Sequence, residues 1–232
     1  MRHTNSRLWV EMKLVISHGG WLPLLILPLA VLWISLITTL FTDMPAAISR
    51  MLELLLPVVA ALSAAPLMNM ETQAGFAELR ASYAEPWWRL PLSRSLMAAL
   101  WTVIALGLGA LAFAFLANGG NLSLISVFPA LSPTLFLMGL SLLMGNLTQN
   151  YWAAMGVSMG FWFINMAAHV PLTNNVVTGS LFLFAYNWPP DTVDFLVNRV
   201  LLAGIGILCF VLNSGWYWWT LRRGLRLYGS TA

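Results

Sequence analysis

Apolar residues fall in long uninterrupted blocks along this chain, and polar residues gather between them. The first charge-free run is Trp21–Phe41, 21 residues with Pro23 and Pro28 inside. A cleavable leader has an apolar core of only about 7–15 residues, so this run predicts a retained helix. The second run is Leu52–Asn69, with Glu53 at its start and Pro57 and Pro66 inside, and a polar stretch from Glu71 to Arg94 follows it. From Ser95 to Pro190 there is no Asp, Glu, Lys or Arg. The clusters Asn118-Gly119-Gly120-Asn121 and Asn146 to Asn150 divide most of that stretch into helices near Leu96–Ala117, Leu122–Gly145 and Tyr151–Val170. The last run, Val200–Leu221, ends in Trp216-Tyr217-Trp218-Trp219 followed by Arg222-Arg223, the order of an interfacial aromatic belt and a cytoplasmic anchor. Each run is close to the roughly 20 apolar residues a helix needs to cross a bilayer. The pattern predicts an all-α integral membrane protein with six transmembrane helices in a single domain, 1–232.

Two segments fit neither a span nor a plain loop. Leu8, Trp9, Met12, Val15 and Ile16 recur at helical spacing, with Arg7 and Glu11 four apart on another face. Segment 1–19 therefore reads as an amphipathic helix lying on the membrane surface. Residues 171–199 form the longest outer connection, and within it Val176–Trp188 is apolar over only 13 residues. A stretch that short dips in and out or lies at the interface, and Asn187-Trp188-Pro189-Pro190-Asp191 closes it with a turn.

Composition strengthens the membrane reading. Charged residues make up 8% of the 232 positions and hydrophobic residues 59%, against about 25% charged in a soluble domain. That little charge does not cover a water-facing surface, which excludes a soluble globular enzyme. The net charge of +3 does not indicate nucleic acid, because the basic residues flank apolar runs rather than forming a stripe. Nine of the 11 fall on one side of a six-span arrangement: Arg2, Arg7 and Lys13, then Arg80, Arg89 and Arg94, then Arg222, Arg223 and Arg226. Arg50 and Arg199 remain on the other. The positive-inside rule then places both termini and the 71–94 loop in the cytoplasm.

Candidate chemistry is sparse. The single cysteine, Cys209, lies in an apolar run, and His3, His18 and His169 are scattered, so a metal site is not expected. Gly156-Val157-Ser158-Met159-Gly160 matches a nucleophile elbow in letters. The elbow needs a strand-to-helix turn, however, and these residues sit in mid-helix, where glycines commonly permit close helix packing. No catalytic residue is assigned. Glu53 is the one acidic group close to the membrane interior; Arg50, three positions before it, is its expected structural partner, with a proton-relay role the alternative. In the loop, Glu71, Gly75 and Glu78 lie at i, i+4 and i+7 and so share one helical face. That face is either a docking surface or a solvated connector whose charges hold the topology.

The loop motif, Glu71, three residues, Gly75, two residues, Glu78-Leu79 with Arg80 next, followed by Pro91-Leu92-Ser93-Arg94 at the third span, resembles the permease subunits of ATP-binding-cassette exporters of the ABC-2 (type V) class. The resemblance covers nearly the whole chain: a connecting helix before span one, six spans, a cytoplasmic coupling helix between spans two and three, and a re-entrant segment between five and six. The 13 positions from Glu78 to Pro91 are more than the family pattern has, and the extra residues around Trp87 and Trp88 suggest an added interfacial turn. The resemblance implies that Glu71, Gly75, Glu78, Leu79 and Arg80 couple to an ATPase, and that span five borders the substrate path. Phe161, Trp162 and Asn165 are the candidates on that path, with lipid-facing or helix-packing roles as the alternative.

Lys13 is the chain's only lysine and no phosphate-cradling glycine loop precedes a Lys-Ser/Thr pair. This chain is therefore expected to bind no cofactor itself. The resemblance implies that ATP and Mg sit on two copies of a partner ATPase, and that two permease copies, identical or related, pair in a bacterial inner membrane and export the substrate. The expected function is export of an amphipathic or hydrophobic substrate such as a drug, a peptide or a lipid-linked molecule. A non-transporting membrane scaffold or immunity protein is the alternative.

Overall fold

The computed structural model describes residues 21–38, 44–68, 86, 88–116, 124–174, 176–184 and 192–229. Every regular element among the described residues is helical: α1 (Leu22–Thr38), α2 (Met44–Ala64), α3 (Arg89–Leu116), α4 (Leu124–Thr148), α5 (Tyr151–Ala167), α6 (His169–Thr173), α7 (Val176–Gly179) and α8 (Val193–Gly229). Three contain stretches long and apolar enough to cross a membrane, Arg89–Phe115, Ser126–Thr148 and Val193–Thr220, and α1 adds a shorter apolar piece, Pro23–Trp33. On length and composition this is an all-helical membrane protein.

Each of the six longer helices overlaps one apolar run, but three begin well before it. Helix α2 starts at Met44 rather than Leu52 and so takes in Arg50 and Glu53; it ends at Ala64, two residues before Pro66, whose ring does not continue a helix. Helix α3 starts at Arg89, with Pro91 in its first turn, where a missing N–H is harmless. Arg94, expected in the cytoplasmic loop, is therefore helical and buried. Helix α8 starts at Val193 and carries Asn198 and Arg199, both expected in the outer connection, on its buried side. In each case a charge at the edge of an apolar run was read as the helix boundary. Backbone hydrogen bonding does not stop at a charge whose side chain is satisfied elsewhere.

Helix α4 forms the centre, packed most extensively against α2 and α8 and also against α5, while α1 lies along α3 and α2. Ala60, Ala64, Met97, Trp101, Met138 and Leu142 make one core layer, and Leu27, Leu52, Leu56, Ala105 and Ala130 another. The outward faces are apolar too, as with Leu96, Val103 and Phe115 on α3, which suits lipid better than water. The predicted break at Asn146–Asn150 is a tight helical hairpin. Gln149 takes φ 52°, the left-handed conformation that ends helices, and its Nε2 donates to the Asn146 carbonyl at 2.7 Å. The Asn150 side chain accepts from the Trp152 N–H at 2.8 Å and caps α5.

The close approach of α4 and α8 depends on glycine. A Cβ on Gly206 would lie 2.8 Å from the Leu135 carbonyl carbon and oxygen, and one on Gly139 would lie 2.6 Å from the Gly206 oxygen. Small residues let membrane helices bring their backbones together. Gly206→Val should separate the two helices and cost about 1–3 kcal/mol, read as a lower SDS midpoint for unfolding of the purified protein. An unchanged midpoint would show that the contact is looser than described. The glycines expected to pack, Gly156 and Gly160, do not serve this purpose. A Cβ on either would meet nothing within 4 Å among the described residues, because that side of α5 is turned away from its neighbours in the chain.

Candidate functional site

The most polar part of the interior lies where α2, α5 and α8 surround the chain leaving α7. Along α8, Phe195, Asn198, Arg199 and Leu202 recur at i, i+3, i+4 and i+7 and are all buried, while Leu196, Val197, Val200 and Leu201 are exposed. The 3.6-residue period thus aims an amide and a guanidinium inward. Helix α5 contributes Trp162 and Asn165, three residues apart, and α2 contributes Glu53.

Between these helices runs a non-helical strap, residues 180–184, with Phe182, Leu183 and Phe184 fully buried. Buried non-helical backbone needs partners for its polar groups, and three side chains supply them here. Asn198 Nδ2 donates to the carbonyls of Gly179, Ser180 and Phe182 at 3.3, 2.9 and 2.9 Å. Arg199 Nη1 donates to the Leu183 carbonyl at 3.0 Å. The Leu183 N–H donates to Asn165 Oδ1 at 3.0 Å, and Asn165 is itself oriented by donating its Nδ2 to the Phe161 carbonyl at 2.9 Å.

Arg199 also reaches across to α2. Its Nη2 donates to Glu53 Oε1 in an ion pair whose side chains are 5% and 4% exposed, and its guanidinium stands 5.2 Å from the centre of the Phe195 ring. The expected Glu53–Arg50 pair is not formed. Arg50 is exposed whereas Glu53 is buried, and a carboxylate in a dry interior gains most from a cation in the same low-dielectric surroundings. The charge placed in the outer connection is thus the partner of the charge in the second helix. Aromatic rings close the arrangement: the Trp162 indole N–H donates to the Leu54 carbonyl at 2.9 Å, and Phe184 stands edge-on to both Trp162 and Phe182, with centroids 6.3 and 5.6 Å apart.

Of the residues expected on a substrate path, Trp162 and Asn165 meet here, engaged with α2 and with the strap. Phe161 is half-buried on the neighbouring side of α5, its ring 5.0 Å from that of Phe136. The expected coupling residues Glu71, Gly75, Glu78, Leu79 and Arg80 lie outside the described residues, as does the amphipathic segment 1–19. Ser158 is buried in the middle of continuous α5, so the turn a nucleophile elbow needs is missing there. Sequence reasoning missed Asn198 and Arg199 as functional candidates, although a signal existed. A carboxylate inside an apolar run requires a counter-charge, and Arg50 and Arg199 are the only cations on that side of the predicted topology. Comparison with models of known families, with curated proteins and with solved structures finds no match to this chain.

Proposed function

We propose that this chain is the membrane-spanning subunit of an ATP-driven exporter, working with a separate ATPase. The observation that carries the reading is the strap. Between the fifth and sixth long helices the chain makes two short helices and a buried non-helical return held by α5 and α8, the position where the resembled permeases place a re-entrant segment. The order of six long helices supports it, each lying on one predicted apolar run. On this reading all six cross a bacterial inner membrane with both termini in the cytoplasm. Two copies, identical or related, enclose a path for an amphipathic or hydrophobic substrate. Two ATPase subunits hold ATP and Mg and act on the Glu71–Arg80 segment, and rigid helices carry that motion across the membrane.

The test is affinity purification of the tagged full-length chain from its native membrane, assayed for co-purifying vanadate-sensitive ATPase. An ATPase should accompany the wild type and be lost from the Glu71→Lys/Glu78→Lys double variant, with membrane insertion unchanged. A chain that purifies alone after gentle solubilisation, or a double variant that retains both partner and transport, overturns the reading and favours a scaffold.

A further inference from the structure

Arg199, on α8, bonds both a second long helix, through Glu53 on α2, and the strap, through the Leu183 carbonyl. Side chains of Asn165, Asn198 and Arg199 hydrogen-bond the strap. None of these bonds belongs to a helical ladder, so they can be given up without breaking the backbone bonds of α5 or α8. Separation of the ion pair has a directed consequence. A guanidinium without its carboxylate is costly to keep dry, and the strap is the non-helical segment to which it is bonded. Phe195, against which the guanidinium stands, lies a single turn of α8 nearer the strap's end of the chain.

We propose that the Glu53–Arg199 pair is a latch for the 180–184 strap: with the pair closed the strap is seated, and with the pair open the strap swings out and admits water to the interior between α2, α5 and α8. Arg199 and Glu53 are thus positioning residues that give the bundle two states differing at one end. The latch is independent of the exporter reading, since it needs no ATPase and no substrate.

The experiment is thiol labelling of the full-length chain in mild detergent, with Cys209 replaced by Ser. A reporter Ser180→Cys sits in the strap, and a control Ser141→Cys sits in α4, where Ser141 is fully buried and donates to the Ala61 carbonyl. A water-soluble maleimide should label the strap reporter about tenfold faster when Glu53→Gln or Arg199→Gln is introduced, while the control stays slow. The Glu53→Gln/Arg199→Gln double variant should label no faster than either single, because the two groups act as one unit. Hydrogen exchange of the peptide spanning 179–184 in the Glu53→Gln chain with its native cysteine checks the same opening without a reporter. Equal strap labelling and exchange in all backgrounds overturns the latch. So does a parallel rise at the α4 control, which would mean that the pair holds the whole bundle.

Discussion

Glu53→Leu is expected to cost about 3–5 kcal/mol of stability, the usual penalty for leaving one member of a buried pair without its partner. The pair is almost completely covered, at 5% and 4% side-chain exposure, so water does not take over the role of the carboxylate. Arg199→Leu should cost a similar amount and in addition strip the donor from the Leu183 carbonyl. The informative variant is the double, Glu53→Leu/Arg199→Leu. With no charge left to bury, it should recover most of the loss, since buried pairs replaced by apolar side chains are often neutral. A residual of about 1–3 kcal/mol should remain for the unbonded carbonyl. SDS unfolding midpoints of the four proteins give the coupling directly. Additive single effects would show that Glu53 and Arg199 do not depend on each other, and the pairing described here would then be wrong.

Asn198→Leu should be the most damaging uncharged substitution in this region. The two hydrogens of one amide nitrogen serve the Ser180 and Phe182 carbonyls at 2.9 Å, with the Gly179 carbonyl at 3.3 Å sharing one of them, and a buried group left without a partner costs about 1–3 kcal/mol. Leucine keeps the branched skeleton but is larger, so the loss reports the hydrogen bonds together with the strain of its methyl groups. Asn198→Asp makes the contrast sharper. It keeps the shape, loses the donor and places an acceptor against carbonyl oxygens, and it should be worse than leucine. Asn146 and Asn213 provide a comparison elsewhere in the bundle, bonded through Asn146 Nδ2 to Asn213 Oδ1 at 2.8 Å. That bond joins two continuous helices, so Asn213→Leu should stay near the smaller value of about 0.6 kcal/mol typical between membrane helices. Equal losses at Asn198 and Asn213 would show that the strap does not depend on its amide.

The legible part of the site was its identity as an unusual place rather than its wiring. Trp162 and Asn165 are expected on a path along span five, and Val176–Trp188 is too short to span; the two segments meet at the Asn165–Leu183 bond. What the residues Asn165 and Trp162 touch was not legible, because spacing along one helix gives the face a side chain occupies and not the neighbour across from it. For the same reason Glu53 was assigned to Arg50, its neighbour in sequence, when its partner is 146 positions away. Gly156 and Gly160 illustrate the converse: the glycine pattern is real, but close approach falls at Gly139 and Gly206. Which glycine faces a backbone depends on how α4 and α8 are rotated about their axes.

The sequence by itself determined the helical class, the membrane setting and the approximate place of each long helix, because burying backbone polar groups in an apolar medium requires unbroken apolar runs of a set length. It also determined the break between helices at Asn146–Asn150, while the cap and the left-handed residue there came from the structure. Only the tertiary structure decided where α2, α3 and α8 begin; for α2 and α8 a charge inside one helix is answered by a distant charge on the other. Only the tertiary structure decided, too, that an arginine, a glutamate and two asparagines from three helices converge on one strap. Such convergence follows from the packing of α2, α5 and α8 around it, a long-range property that no window along the chain contains.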